Sequence, residues 1–214
     1  MTRASAKPSG ASLTQAERSA RSDRAMLDAA VELLLEHGTE KTTLAAIGEK
    51  AGYSRGLATY RFGSKAALFD EVCKSIGRRW LKYLQAGVGD KTGIDAMLAA
   101  LNAFFRFLTE SPREARVLHI LYCGAASPTS EYRETSHNIH QRQMHDVANW
   151  VRAGIKDGSI RKDADAESVA MQYVAYTTGI TYLWVINPEA IDFDKASASM
   201  QKQLTRSLST HYLT

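Results

Sequence analysis

The stretch "TLAAIGEKAGYSRGLATYRF", residues 43–62, decides the fold prediction. Two short helices are predicted within it. Thr43 is a good N-cap residue for the first, which ends at Ala51, and Ser54 can cap the second. Gly52 lies between them and supplies a backbone conformation that a Cβ atom would resist. The stretch is therefore predicted to fold as two helices joined by a tight turn.

The two predicted helices have the residues needed to pack against each other. Ile47, Ala51 and Ala58 are spaced to touch across the bend, and the small residues Gly48 and Ala58 let the helices cross closely. This arrangement is a helix-turn-helix, in which the second helix enters the major groove of DNA. An ordinary helical hairpin with a solvated polar face is the alternative that the pattern leaves open.

The second helix carries more long polar side chains than so short an element can bury. With Ala58 and Phe62 turned inward, the remaining side chains face outward. An Arg can donate two hydrogen bonds to a guanine, a Gly lets the backbone approach a base edge, and a Leu can touch a thymine methyl group. The predicted base-reading residues are Arg55, Gly56, Leu57, Thr59, Tyr60 and Arg61. The predicted phosphate contacts are Thr42, Thr43, Ser54 and Lys65, with Tyr60 as a further candidate.

Residues 21–80 resemble a known DNA-binding domain. The segments "MLDAAVELLLEHG" and "TTLAAIGEKAGYSRGLATYRFGSKAALF" are similar to the N-terminal domain of the TetR family of transcriptional repressors. The resemblance implies that Thr43 and Lys65 contact phosphates and that the second helix forms the DNA-reading surface. The family usually has Tyr at the position of Thr59, so Tyr60 either takes over that phosphate contact here or points elsewhere.

Helical periodicity continues through the rest of the chain, and we predict an all-α protein of about nine helices. The β-branched run "TTGITYLWVI" is compatible with a strand, but its acidic start and its stop at Asn187-Pro188 favour a helix. The first helix is predicted to end at Gly38, and Ser64 is predicted to cap a helix that runs to about Gly87. A capping box at Ser111-Pro112 begins another helix, and Ser127-Pro128 begins one that runs to about Asp157. Asp192 or Asp194 is predicted to cap the last helix.

The chain divides into three predicted parts. Residues 1–20 form a disordered arm rich in Ser, Ala and basic residues. Residues 21–81 form a three-helix DNA-binding domain, and residues 82–214 form a helical bundle for effector binding and dimerisation. Five basic residues precede or open the first helix: Arg3, Lys7, Arg18, Arg21 and Arg24. They either contact the minor groove or backbone of DNA or belong to a solvated tail, and the sequence leaves both alternatives open.

Two reading helices spaced about one DNA turn apart require a dimer. The family resemblance implies a four-helix dimer interface built from the last two long helices, and a small-molecule pocket in the C-terminal domain. The alternative for both sets of side chains is a place in the chain's own core. The predicted dimer residues are Ala175, Thr178, Gly179, Tyr182, Met200, Leu204 and Leu208. The predicted pocket residues are Phe104, Phe107, His119, Tyr122, Trp150, Tyr173, Tyr176 and Trp184.

Composition argues against several other classes of protein. Most of the net charge of +4 lies in residues 1–65, which is compatible with nucleic acid and equally with simple solubility. Cys73 and Cys123 are expected to be buried reduced thiols, without a disulfide scaffold or a zinc pattern. We expect no membrane span, no metal, no cofactor and no catalytic residues, and a cytoplasmic location.

The sequence thus predicts a homodimeric transcriptional repressor of TetR type. It would bind double-stranded DNA at a palindromic operator and be released by a small apolar or aromatic effector. One alternative is a constitutive DNA-binding regulator without an effector. The other, from a different class, is an all-α enzyme or metal protein that carries a helical hairpin.

Overall fold

The computed structural model describes residues 14–210, and within them the chain is helical apart from turns and one isolated antiparallel bridge between Ile160 and Ser209. The all-α prediction is confirmed for this part of the chain. Its helices are α1 (Gln15–Lys41), α2 (Leu44–Lys50), α3 (Arg55–Phe62), α4 (Lys65–Val88), α5 (Gly93–Glu110), α6 (Pro112–Ala125), α7 (Arg133–Asp157), α8 (Ala166–Ile186), a 3-10 turn (Pro188–Ala190) and α9 (Phe193–Leu208).

The first helix begins earlier than predicted. Thr14 caps α1 with a capping box: its hydroxyl accepts from the Glu17 backbone N–H at 3.2 Å, and the Glu17 carboxylate accepts from the Thr14 N–H at 2.7 Å. Residues 15–20 are therefore helical, and their assignment to a disordered arm is corrected. The Thr-x-x-Glu pattern that starts the helix is a local signal that the prediction did not use. Arg3 and Lys7 lie outside the described residues. Gly38, the predicted end of the helix, breaks α1 with φ 72° and ψ −173°.

The predicted caps of the later helices have mixed outcomes. Ser64 and Asp192 cap α4 and α9 as predicted, each accepting a backbone N–H bond from the first turn. Ser111 forms no capping box, because its ψ of 52° takes it out of the extended conformation of an N-cap and its hydroxyl lies 3.2 Å from that of Tyr83. The predicted start of α7 at Ser127 is wrong: Ser127 belongs to a turn closed by the Ser130 N–H, and α7 begins at Arg133.

One hydrophobic core runs from the N-terminal helices into the bundle. Leu34, Ile47 and Leu68 are fully buried where α1, α2 and α4 meet, and Met97 and Leu101 continue the same core in α5. Because α4 runs unbroken through both regions, its first turns support the helix-turn-helix and its later turns pack against α5. The helix-turn-helix is therefore mounted directly on the bundle.

The last two helices differ from the prediction. Met200, Leu204 and Leu208 on α9 are almost fully buried in the chain's own core, where α9 packs on α5, so the dimer contact assigned to them is corrected. The apolar stripe of α9 faces the core of its own protomer. The sequence could not distinguish this from a stripe that faces a partner protomer, because the apolar residues have the same spacing in either arrangement. By contrast, α8 leaves much of its apolar surface uncovered.

Candidate DNA-reading head and effector cavity

The turn between α2 and α3 is tight. Gly52 has φ 81°, and the N–H of Tyr53 donates to the Gly48 carbonyl at 2.9 Å. A Cβ on Gly48 would stand 2.6 Å from the Ser54 carbonyl oxygen, so the close approach of the two helices depends on the absence of a side chain there. Ile47 and Ala58 are fully buried in the seam, as the sequence predicted.

The outer face of α3 is exposed. Arg55, Gly56, Thr59 and Tyr60 lie on it, with Tyr60 83% exposed, while Leu57 is half-buried against the core. Four of the six predicted reading residues thus share one solvent-facing surface, whereas Leu57 is partly buried and Arg61 turns towards α1.

Both arginines of α3 are engaged in ion pairs. The Arg55 Nε donates to the Glu49 carboxylate at 2.5 Å, and the Arg55 side chain remains 77% exposed. Arg61 makes a two-pronged pair with the carboxylate of Asp23, which joins α3 to α1. These carboxylates hold the pKa of each guanidinium above its ordinary value, so both side chains are cationic. Arg55 is the more accessible of the two.

The four predicted phosphate contacts differ in exposure and in the hydrogen bonds they make. Thr42 is fully buried and its hydroxyl donates to the Gly38 carbonyl at 2.7 Å, so its assignment as a phosphate contact is corrected. Thr43 is exposed and caps α2 by accepting from the Ala46 N–H. Ser54 is exposed but its side chain makes no cap bond, contrary to the prediction. The Lys65 ammonium lies at the start of α4 and donates to the Glu40 carbonyl at 3.2 Å.

A cavity of about 580 Å³ lies in the bundle, with walls from α4, α5, α6, α7 and α8. Six of the eight predicted pocket residues line it: Phe104, Phe107, His119, Tyr122, Trp150 and Tyr173. The sequence did not indicate the contribution of α4, and on α7 it indicated only Trp150, because the polar lining residues of both helices look like an ordinary solvated face.

The other two predicted pocket residues face elsewhere. The Tyr176 hydroxyl donates to the Ala196 carbonyl at 2.9 Å, which attaches α8 to α9. Trp184 is buried against Phe193 and beneath the guanidinium of Arg116. Tyr176 faces away because it lies on the opposite side of Tyr173 from the lining residue Val174. Trp184 keeps nearly the same face as Tyr173 but lies about 16 Å further along α8, beyond the last lining residue, Thr181.

Three titratable groups that line the cavity, His119, Cys73 and Tyr122, favour their neutral forms. Burial lowers the pKa of His119 and, with the nearby Asp70, raises the pKa of the Cys73 thiol to about 12. Burial also raises the pKa of Tyr122. Cys123 lies next to His119, with Sγ 3.3 Å from Nε2, and is exposed, which corrects the expectation that it is buried. These groups suit binding by shape and hydrogen bonds, since neither thiol is held as a thiolate.

Comparison with known proteins identifies the family. Residues 26–72 match the family described as bacterial regulatory proteins of the tetR family, and residues 93–209 match the C-terminal domain of BetI-type transcriptional repressors. The chain belongs to the TetR family. It is therefore a DNA-binding transcriptional regulator, and the resemblance stated from its N-terminal motif is confirmed.

One regulator is similar to this chain in sequence, and two solved structures are similar to it in fold. The transcriptional regulator TtgR of Pseudomonas putida is 27% identical over 175 residues, which cover 78% of this chain and 81% of TtgR. The structure of NalD, the secondary repressor of the MexAB-OprM multidrug efflux pump in Pseudomonas aeruginosa, superposes with a TM-score of 0.74 at 21% identity, covering 92% of this chain and 100% of NalD. SmeT is the repressor of a Stenotrophomonas maltophilia multidrug efflux pump. Its complex with triclosan superposes with a TM-score of 0.74 at 22% identity, covering 89% of this chain and 93% of SmeT.

Two searches bear on other classes of function. Among the helices of residues 14–210, each is too short or too polar to cross a membrane. Over the same residues, no group of three His, Cys, Asp or Glu side chains is arranged to hold a metal ion.

Proposed function

We propose that the protein is a homodimeric repressor that binds a palindromic operator through α3 and is released when a small apolar or aromatic molecule fills the cavity. The observation that carries the proposal is that two walls of the cavity also contact the DNA-binding domain: α4 contacts α3, and both α4 and α6 contact α1. Occupation of the cavity can therefore reach the reading head through elements that are already in contact with it. The SmeT–triclosan complex supports small-molecule binding by a protein of this fold.

The proposed reading surface is the exposed face of α3. Arg55, Gly56, Thr59 and Tyr60 would face the base edges, and Leu57 would add an apolar contact at the margin. Arg61 is proposed to reach DNA while it remains paired with Asp23. Thr43, Ser54 and Lys65 are proposed as phosphate contacts on either side of the helix-turn-helix. This head is assigned to residues 21–81, although α4 passes through the boundary without a break.

The proposed dimer interface is the exposed face of α8. Four of the six large hydrophobic side chains that the described residues expose are on this helix: Met171, Tyr182, Leu183 and Ile186. Ala175 and Gly179 are also exposed beside them, as the sequence predicted, and their small size lets a second helix approach closely. Thr178, predicted for the same interface, instead lines the cavity. An apolar strip of this kind marks a protein–protein contact.

The proposed route from cavity to DNA uses α6. Leu118, His119 and Tyr122 of this helix line the cavity. Outside the cavity, Arg113 at its start pairs with Glu32 of α1, and Gly124 at its end lies so close to α1 that a Cβ there would stand 3.0 Å from Thr39. A shift of α6 would therefore displace α1, the first helix of the reading head. This adds a second route to the one that runs through α4.

The test is selection of bound duplexes from a random DNA pool with the purified protein, followed by sedimentation of the complex. We expect a palindromic consensus bound by two protomers. Adding triclosan, the ligand of SmeT, and a set of aromatic compounds to the complex is expected to release the DNA for at least one compound. A consensus without symmetry, or a complex with one protomer, would contradict the dimeric repressor. Release by none of the compounds would favour the constitutive regulator.

A further inference from the structure

The cavity is elongated, and α4 and α7 line it along its length. At one end the Thr135 hydroxyl of α7 donates to the Asp70 carboxylate of α4 at 3.2 Å. At the other end Trp150 of α7 packs in the same cluster as Leu84 of α4. These pairs are separated by similar lengths of helix, about 21 Å on α4 and about 22 Å on α7 at about 1.5 Å per residue. The two helices therefore run side by side in the same direction.

The lining changes character along this direction. From the end at Asp70 to about the middle of the cavity, the lining is polar on both helices, with Lys74 and Arg78 on α4 and Asn138 and Arg142 on α7. The far end is apolar and aromatic. Its lining residues are Leu81, Leu84, Ala100, Phe104, Val147 and Trp150. An occupant that fills the cavity must therefore have one polar end and one apolar end.

Near the middle of its length, the cavity carries two guanidinium groups without partners. Within residues 14–210, neither Arg78 nor Arg142 makes an ion pair or a hydrogen bond, whereas Lys74 is paired with Asp70 and Glu71. Arg78 lies about 12 Å along α4 from Asp70, and Arg142 about 10 Å along α7 from Thr135, so both stand at nearly the same level of the cavity. Asp146, one turn after Arg142, is the one lining carboxylate without a partner there.

We infer that the effector is an amphipathic monocarboxylate whose carboxylate lies between Arg78 and Arg142. Its apolar body would extend about 10 Å towards Leu84 and Trp150, the length of helix that separates them from the arginines. Two guanidinium forks are the protein groups best matched to a carboxylate, and they outnumber the single unpaired Asp146. This inference rests on the proposed function, since it names the chemical class that the same cavity would take.

The test compares three probes that share a chain and differ in the head group: octanoate, octan-1-ol and octylamine. Binding is followed at neutral pH by tryptophan fluorescence, because Trp80 and Trp150 line the cavity. We expect octanoate to bind at least tenfold more tightly than octylamine, and more tightly than octan-1-ol. Arg78→Gln and Arg142→Gln should each weaken octanoate binding by about fivefold to tenfold and leave octan-1-ol within about twofold. Asp146→Asn should strengthen octanoate binding.

The matched control is Arg152→Gln, because Arg152 is on α7 but pairs with Glu167 outside the cavity lining. Its affinity for octanoate should equal that of the unmodified protein. Octan-1-ol or octylamine binding as tightly as octanoate, or octanoate not binding at millimolar concentration, would overturn the inference. Operator release is measured separately. Octanoate that binds through the two arginines but leaves the operator bound would defeat the proposed effector response and leave the assigned ligand class intact.

Discussion

Replacing Arg55 with Ala tests whether α3 reads bases or only attracts phosphates. Arg55 is the first residue of α3, its side chain is 77% exposed, and Glu49 is its ion-pair partner. A good bidentate contact with guanine discriminates against a wrong base by about 5-fold to 100-fold. A dimer carries two copies of the contact, so the loss of operator affinity is expected to be about 25-fold to 10⁴-fold. Random DNA should lose far less.

The assay is fluorescence anisotropy with the selected operator and a random duplex at several salt concentrations. In Arg55→Ala, the ratio of the two affinities should fall while the salt dependence of operator binding stays nearly unchanged. Lys65→Ala should do the reverse, weakening both DNAs alike and reducing the salt slope by about 0.9 for each protomer. Arg152→Ala, another exposed arginine in an ion pair, is the control and should change neither quantity.

The result that would refute this reasoning is an equal loss on operator and random DNA together with a smaller salt slope. Arg55 would then be a phosphate contact. The base-reading surface would have to be sought at Thr59 and Tyr60, further along the exposed face of α3.

Three further predictions concern packing, assembly and pH. A Cβ on Gly154 would stand 2.6 Å from Ile160 Cδ1 and 2.9 Å from a backbone Cα, so Gly154→Ala should lower the free energy of unfolding, measured in urea, by about 1–3 kcal/mol. Gly77→Ala should raise the free energy of unfolding, because its new methyl group meets open space. Equal stability of the two variants would contradict the crowding at Gly154. Gly179→Leu should fold normally but sediment as a monomer, and a persistent dimer would exclude α8 as the interface. Burial lowers the pKa of His119, so its stabilising contribution is complete above an unfolded pKa of about 6.5 and is lost as pH falls through the lower folded value. The urea midpoint should therefore drop less between pH 7 and pH 5 in His119→Gln, and equal drops would contradict this assignment.

The helix-turn-helix could be predicted from sequence because its determinants are local. Thr43, Gly52 and Ala58 act within twenty residues of one another, through a cap, a positive φ angle and a buried seam. The face of α3 then follows from helical periodicity alone. Thr42 was misassigned because its neighbour Thr43 has the same side chain, and only the folded chain shows which hydroxyl points inward.

The cavity could be predicted only in part because it depends on how distant helices face one another. Aromatic residues on α5 and α6 indicated it, since large rings are conspicuous in a sequence. Arg78 and Arg142 gave no such signal, because a charged residue on a helix looks the same whether it faces bulk solvent or the mouth of a cavity. The burial of Met200 and Leu204 likewise depends on α5, which lies about a hundred residues earlier in the chain.

The two sides of the reading head differ in how much room they have to move. A second cavity of about 340 Å³ lies where α1, α4 and α6 meet, lined by Leu27, Val31 and Ile76 among others. This space lies beside the contact that α1 and α4 make in the core, so the side chains that line it have room to move. At the other end of α6, Gly124 fits against Thr39 and the hydroxyl of Tyr132 with no space for a methyl group. Displacement of this end of α6 must therefore move α1.

Movement of α1 would carry both helices of the helix-turn-helix with it. Lys50 at the end of α2 pairs with Glu36 of α1 at 2.8 Å, and Arg61 of α3 pairs with Asp23 of α1. The two attachments lie about 20 Å apart along α1, at about 1.5 Å per residue, so a tilt of α1 rotates the pair as one unit instead of opening the turn between them. We therefore expect an effector to change the spacing of the two reading helices in a dimer while leaving each helix-turn-helix intact.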